Sequence, residues 1–588
     1  MKKSTSFLIV STTVILAAGA LSFKVNKAHP LFAAASDFVV TSDLASEKQI
    51  HTERQATYLA YDGEFDKIPE ADYPDGQKHL SDPNPVNLAW NYTTSKTVSR
   101  YDVVVGQKAD LSDGYTIKGT AEKSLDVYNS FLGNNYFKIV ANFSDGTTDS
   151  SEIQSYKVED IYPRNLKIDG MTNCRDMGGG RDLVDGGRIR QGLLYRTSST
   201  SQWAYGRGDV PDTITDAGKE VLFNQLGCKT EINVNNGGSA VNGIENYVEA
   251  YMYYDNGKHH LYRNAEPLKQ VFHALADKNN YPIFYHCRIG TDRTGLCAIM
   301  ISGLLGVPLN EIYKDYLFSN FGNIQEKRYI GEKAGRDNIM NYINDLLAFP
   351  GEKFQNKVYN YLLSIGVPAS ELNSIIDIMV EGNKPVGNNN YQEVVFAKDF
   401  YADGTEMKTT AATSNKDPDE YYTLGADQSI IASFDAKYSG EAYLIAYLGS
   451  TASRIDNNIK ISDCIDVELD GNRVEISDER TFGDAGFGQG DNRNYYSAVN
   501  LGKVDVVKGE SDVVITGKAN DLNIGVVAVI PASQIEEEQP QPVNPDQPSG
   551  DKKEEKKGCG GSIIAVSSLT SMLAIGGIAL ISFKRKED

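Results

Sequence analysis

His286-Cys287-Arg288-Ile289-Gly290-Thr291-Asp292-Arg293-Thr294-Gly295 decides how this chain is read, because it sets a cysteine and an arginine at the two ends of a loop that can wrap a phosphate. The stretch before it, Pro282-Ile283-Phe284-Tyr285, is extended and apolar, and residues 296–305 after it are apolar nearly all round. A chain that runs from a buried strand through such a turn into a central helix gathers the loop N–H groups and the helix N-terminus into an anion nest. Positive potential there, reinforced by Arg293, favours thiolate over thiol and brings a cysteine of ordinary pKa about 8.5 toward its nucleophilic form at neutral pH. Arg293 offers a planar fork that can grip two phosphate oxygens as charge spreads over them, which a lysine cannot do bidentately. Gly290 lets the backbone pass close to a ligand, and Arg288, Ile289 and Thr291 supply the rest of the phosphate-binding turn. Thr294, opening the helix, can give its hydroxyl to the sulfur when a phosphocysteine is hydrolysed. Cys297, in the apolar helix, is expected to pack in the core.

His286, Cys287, Gly290, Arg293, Thr294 and Gly295 stand at the offsets of the signature loop of the cysteine-dependent protein tyrosine phosphatase superfamily, which the chain resembles. Its bacterial tyrosine/serine protein phosphatase family opens with segments similar to Asn173-Cys174-Arg175-Asp176-Met177-Gly178-Gly179 and Gln191-Gly192-Leu193-Leu194-Tyr195-Arg196-Thr197-Ser198. Leu305-Gly306-Val307-Pro308 and Asp315-Tyr316-Leu317-Phe318-Ser319-Asn320 also look like that family, so the resemblance covers roughly residues 163–380. It implies hydrolysis of a phosphotyrosyl protein through a phosphocysteine, with no metal or other cofactor. It also implies an aspartate as general acid: Asp292, because related bacterial phosphatases carry Asp there, or Asp255, by analogy with the mobile acid loop of other members. Arg175, Asp176 and His286 are then supports around the loop. One departure concerns Ile232-Asn233-Val234-Asn235, where the family usually shows Ile-Asp-Leu-Arg, so two charges are missing. Two other functions stay open: a phosphoinositide or inositol phosphate phosphatase, for which Arg288 offers one extra cation while Thr291 stands where relatives often have Lys, and a surface adhesin whose phosphatase domain is vestigial.

Periodicity points the same way independently. After Pro267, which can start a helix, Leu268, Val271, Phe272 and Leu275 fall on one helical face, and the apolar strand before the loop follows. Gly306 can cap the helix after the loop and Pro308 can open the next. Strands alternating with helices predict an α/β domain over residues 161–382, its mostly parallel sheet flanked by helices and its phosphate loop at a strand's carboxyl end.

The chain has 588 residues, room for several domains. Residues 83–160 alternate as strands do, with Trp90 early and Asp145-Gly146 as a turn signal, and look like a fibronectin type III sandwich. Residues 388–532 hold further short strands, among them Ile430-Ile431-Ala432-Ser433-Phe434 and Ile524-Gly525-Val526-Val527-Ala528-Val529, and predict a second β-sandwich. It vaguely resembles carbohydrate-binding jelly rolls, with Tyr421, Tyr422, Tyr495 and Tyr496 as candidate stacking platforms for a glycan. The fold expected is therefore multidomain: a central α/β phosphatase domain between two β-sandwich modules.

Both ends carry membrane signals. Lys2 and Lys3 precede an apolar stretch with small-residue cleavage candidates, so residues 1–35 read as a signal peptide and leader. Residues 533–561 are rich in Pro, Glu and Lys and read as an extended stalk. Residues 563–583 carry no charge, are long enough to span a bilayer, and are followed by Lys584-Arg585-Lys586, which predicts a transmembrane helix with its tail in the cytoplasm. The expected location is thus a cell surface, single-pass, with the catalytic domain outside. Six cysteines are few for an exported chain and suggest neither a disulfide framework nor a zinc site, which favours a Gram-positive-type bacterium. A net charge of −21 excludes general binding to nucleic acid, so phosphate recognition must be local.

Overall fold

A computed structural model of the chain describes residues 37–69, 72, 82–201, 213–253, 261–322, 324, 327–330, 339–387, 393–409, 420–450, 458–482, 495–518 and 522–533. The expected signal peptide, almost all of the stalk, the expected transmembrane helix and Asp255 lie outside them. Among the described residues no helix is long and apolar enough to cross a membrane.

The central domain is built on a five-stranded sheet whose order is Asn246–Glu249, Thr230–Asn233, Ile283–His286, Leu194–Thr197 and Arg175–Asp176. Neighbours are parallel except at the last pair. Every residue of Leu194–Thr197, Thr230–Asn233 and Ile283–His286 is buried, as expected of parallel strands covered on both faces. Helix Ala265–Ala276 buries Leu268, Val271, Phe272 and Leu275, the face that the spacing predicts. Helix Asp292–Leu304 is buried at each position from Thr294 onward. It ends as a Schellman motif: Gly306 has φ +83°, its N–H bonds the Gly303 carbonyl at 3.0 Å, and the Val307 N–H bonds that of Ser302 at 2.9 Å. Pro308 then caps helix Leu309–Phe318.

Ahead of this domain two antiparallel sheets pack face to face, Val86–Tyr92 and Ser124–Val127 in one, Val98–Gly106 and Gly133–Phe143 central to the other. Alternate residues of Val86–Tyr92 point inward, and Trp90 meets Tyr101 edge-on at 5.3 Å between ring centroids. The sequence alone does not place the residues before Pro83. In the structure Phe38–Val40 pairs with Val86–Tyr92, completing the smaller sheet. Helix Glu53–Leu59, opened by a Thr52/Gln55 capping box, inserts Tyr58 and Leu59 into the core of the central domain.

Residues 393–533 form two further antiparallel sheets, one of six strands and one of five. Strand Leu522–Pro531 in the six-stranded sheet is buried at every residue. Leu522, Ile524, Val527 and Val529 face the second sheet, whereas Val526, Ala528 and Ile530 join the core of the central domain. The outer face of this sandwich is thus covered by its neighbour. That corrects the expectation for Tyr421 and Tyr422: both are only 8 % exposed, Tyr421 packed toward the central domain and Tyr422 against Phe400, so neither presents a ring to a glycan. The side chains of Tyr495 and Tyr496 lie outside those described.

Candidate active site

Three parallel strands deliver the site. His286 ends the central strand level with Thr197 on one side and Asn233 on the other. The loop that follows is tied to both flanks, by Ser199 N–H to the Arg288 carbonyl and Val234 N–H to the His286 carbonyl, each at 2.9 Å. Gly290 has φ +73°, and a Cβ there would lie 2.6 Å from the Thr197 carbonyl oxygen, so both conformation and space demand glycine.

Cys287 is buried beneath the N-terminus of helix Asp292–Leu304. Burial alone raises a thiol pKa, but the Arg293 charge and bonds from the Thr294 hydroxyl and N–H outweigh it, so the Cys287 pKa is lowered. The Thr294 hydroxyl oxygen accepts the Cys287 N–H at 2.7 Å, which turns its own proton toward the sulfur. Cys297, equally buried but without such donors, has its pKa raised by burial and by Cys287.

The loop rests on a buried ion network. Asp315 receives the Arg175 Nε at 2.8 Å, the Tyr162 hydroxyl at 2.7 Å and the Arg196 guanidinium. Burial pushes its pKa up, yet the two arginines hold it well below the usual carboxylate range. Arg196 in turn donates to the Gly290 carbonyl at 2.9 Å, and Asn173, itself touching Arg175, bonds the Gly290 carbonyl at 2.9 Å, the Ile289 carbonyl at 3.2 Å and the Thr291 hydroxyl at 3.2 Å. Arg175 therefore supports the loop at one remove. Asp176 does not reach it: its carboxylate takes Arg164 at 2.8 Å and the N–H groups of Gly178 and Gly192 at 2.8 and 2.7 Å.

His286 is hydrogen-bonded through Nε2 to the Glu231 carboxyl group at 2.8 Å and through Nδ1 to the Cys287 carbonyl, which accepts, at 3.0 Å. Glu231, fully buried, also takes the Val241 N–H at 2.7 Å. Asn233 and Asn235, where the expected charges are absent, form an amide turn instead. The Asn233 side chain donates to the Gly237 carbonyl at 3.1 Å and the Tyr247 hydroxyl at 2.9 Å, and accepts the Asn235 N–H at 2.8 Å. Asp292 meets a fork from Arg328, Nε at 2.9 Å and a terminal nitrogen at 3.0 Å. Asn320 clamps Arg328 through both its N–H and its carbonyl at 2.8 Å.

The structure thus gathers Cys287, Arg288, Ile289, Gly290, Thr291, Asp292, Arg293 and Thr294 in one loop with His286 behind it. Sequence reasoning missed roles for Asn173, Arg196, Glu231, Asp315 and Arg328. A signal existed for some: charged residues inside otherwise buried segments are seldom there without a partner. Among the described residues no group of His, Cys, Asp and Glu is arranged to hold a metal ion.

Residues 229–365 match the sequence profile described as the tyrosine phosphatase family. A tyrosine-protein phosphatase from Nostoc commune is 41 % identical over 51 residues, 9 % of this chain and 17 % of that protein, so the chain spans only a small part of this relative. Among solved structures, a family 35 carbohydrate binding module from Clostridium thermocellum is 16 % identical, covering 24 % of this chain and 99 % of that one, with a TM-score of 0.19. The core catalytic domain of a PP-IP phosphatase from S. cerevisiae, in complex with citrate, is 19 % identical over 22 % of this chain and 71 % of that one, with a TM-score of 0.17. The stretch around Cys287, residues 229–365, is thus the part of the chain that is similar to the tyrosine phosphatase family.

Proposed function

We propose that this chain is a phosphomonoester hydrolase that dephosphorylates phosphotyrosyl protein through Cys287. The observation that carries the reading is a buried cysteine whose pKa is nevertheless lowered by Arg293 and Thr294. The thiolate attacks phosphorus while Arg293 grips the equatorial oxygens, and the ester oxygen leaves with a proton. Water then attacks the phosphocysteine, and the Thr294 hydroxyl hydrogen-bonds to the departing thiolate. Asp292 carries the proton to the leaving group, which requires the Arg328 fork to open first. The uncharged segment 563–583 and the basic residues after it support tethering at a cell surface.

A second reading has its own observation. Arg288, partly exposed at the loop, has its pKa lowered by burial and by the neighbouring Arg293 charge, and such crowding of cations suits a substrate with more than one phosphate. Phosphate release from a phosphotyrosyl peptide and from a phosphoinositide, with and without Cys287→Ser, decides between them. Turnover of the peptide alone, lost in the variant, supports the first reading. Preference for the phosphoinositide replaces it with the second, and turnover that survives in the variant removes both.

A further inference from the structure

A cleft of about 670 Å³ opens where the phosphatase domain meets the C-terminal sandwich. One wall is the end of helix Met340–Leu347 with the turn at residues 348–351 and Lys357; the other is Tyr443, Asn500 and residues 477–480. Its size falls in the range of small-molecule sites, which favour domain interfaces.

The charges in its walls are already engaged. Arg480 clamps Asp478, with Nε at 3.0 and 3.1 Å and a terminal nitrogen at 2.8 Å. Lys460 pairs with Glu479. Lys357 donates to the carbonyls of Leu347 at 3.0 Å and Phe349 at 2.7 Å, closing the end of the helix. Among the described residues Lys357 alone of these charges has no carboxylate partner, and two of its three N–H groups are held by those carbonyls, so a metal ion meets only paired carboxylates and phosphate must compete for one cation. Neutral groups line the rest: the Asn344 carboxamide; the Nδ2 of Asn500, whose Oδ1 accepts the Gly502 N–H at 3.0 Å; the Ser477 hydroxyl, which donates to the Asn500 carbonyl at 3.2 Å and can still accept; and the Tyr443 hydroxyl, bonded to Lys503; apolar surface comes from Leu347, Ala348 and Pro350. Leu347 is 40 % exposed, unusual for a large apolar side chain at the seam between two domains. An aromatic ring, paired carboxamides and an apolar wall match a ligand that carries hydroxyls around its rim and C–H groups on its faces.

We propose that this cleft binds a neutral saccharide, and that the phosphatase domain and the sandwich supply the site jointly. The ligand bridges Asn344 on one domain and Asn500 with Tyr443 on the other, so occupancy holds the two together. This goes beyond the phosphatase reading and does not rest on it.

The test is calorimetric titration of the full chain with neutral oligosaccharides of glucose, mannose, galactose and xylose, with inorganic phosphate as the charged probe. At least one saccharide is expected to bind, weakened about tenfold or more by Asn344→Ala and by Leu347→Trp, which fills the cleft from an exposed position. Unchanged melting temperature and unchanged phosphotyrosyl turnover identify folded variants, and Asn500→Ala is the substitute if either fails that check. No binding by any saccharide, binding undiminished in the folded variants, or tighter binding of phosphate each overturns the proposal.

Discussion

Asp315 beneath the catalytic loop and Asp345 at the seam between the phosphatase domain and the C-terminal sandwich are equally buried, each 4 % exposed, yet their acidities move in opposite directions. Burial raises both. At Asp315 the charges of Arg175, Arg196 and Arg181 reverse the effect, and the carboxylate stays ionised far below its usual range. At Asp345 only the Ala498 N–H at 3.2 Å and the more distant Arg480 oppose burial, so the pKa rises to about 8. Burial does not decide the charge of a group; the partners enclosed with it do. The Cys287 loop rests on a charge network that is complete when folded, whereas burial at the seam favours the protonated form of Asp345.

The strongest way to break this contrast is Asp315→Asn, which leaves Arg175 and Arg196 buried without their anion. A loss of about 3–5 kcal/mol is expected in denaturant unfolding, because removing one member of a buried pair strands the other. A loss under about 1 kcal/mol would show that the network contributes little.

Cys287 and Cys297 extend the comparison to thiols, since both are buried and only the one with donors is acidified. Thr294→Val removes the hydroxyl from Cys287. The acid limb of the pH–rate profile should move to higher pH, and phosphocysteine hydrolysis should slow by about 10²-fold in single-turnover kinetics. An unmoved limb would assign the acidity to Arg293 alone.

The smallest effect concerns the seam. Because the folded-state pKa of Asp345 lies above its ordinary value of 3.8, its contribution to stability is complete below that value and is lost as pH rises toward about 8. Melting temperature should therefore fall across that window in the native chain, and the fall should be shallower in Asp345→Asn. Equal slopes would place the proton elsewhere.

What the sequence reveals follows from how local each feature is. The loop, its strand and its helix lie within residues 282–307, so the motif, the apolar periodicity and the Gly306 stop could be read from neighbours alone. Asp315 reaches Arg175 across 140 residues and Arg196 across 119, and no pattern along the chain pairs them. The same holds for Glu231 and His286. Tyr421 and Tyr422 read as platforms because Tyr, Asn, Asp and Gly suggest loops there, but both lie in strand Glu420–Leu424. The unbroken apolar run 524–530 was the sign that this sheet is covered on both sides. Asp292 was visible as a candidate acid, but its Arg328 partner lies 36 residues on, beyond a helix.

The most direct test of the central claim is rapid quenching of the full chain with a phosphotyrosyl peptide labelled on phosphorus, followed by mapping of the label. Label on Cys287, accumulating further in Thr294→Val and absent in Cys287→Ser, is the predicted result. Steady turnover by Cys287→Ser, or label on a different residue, would contradict it.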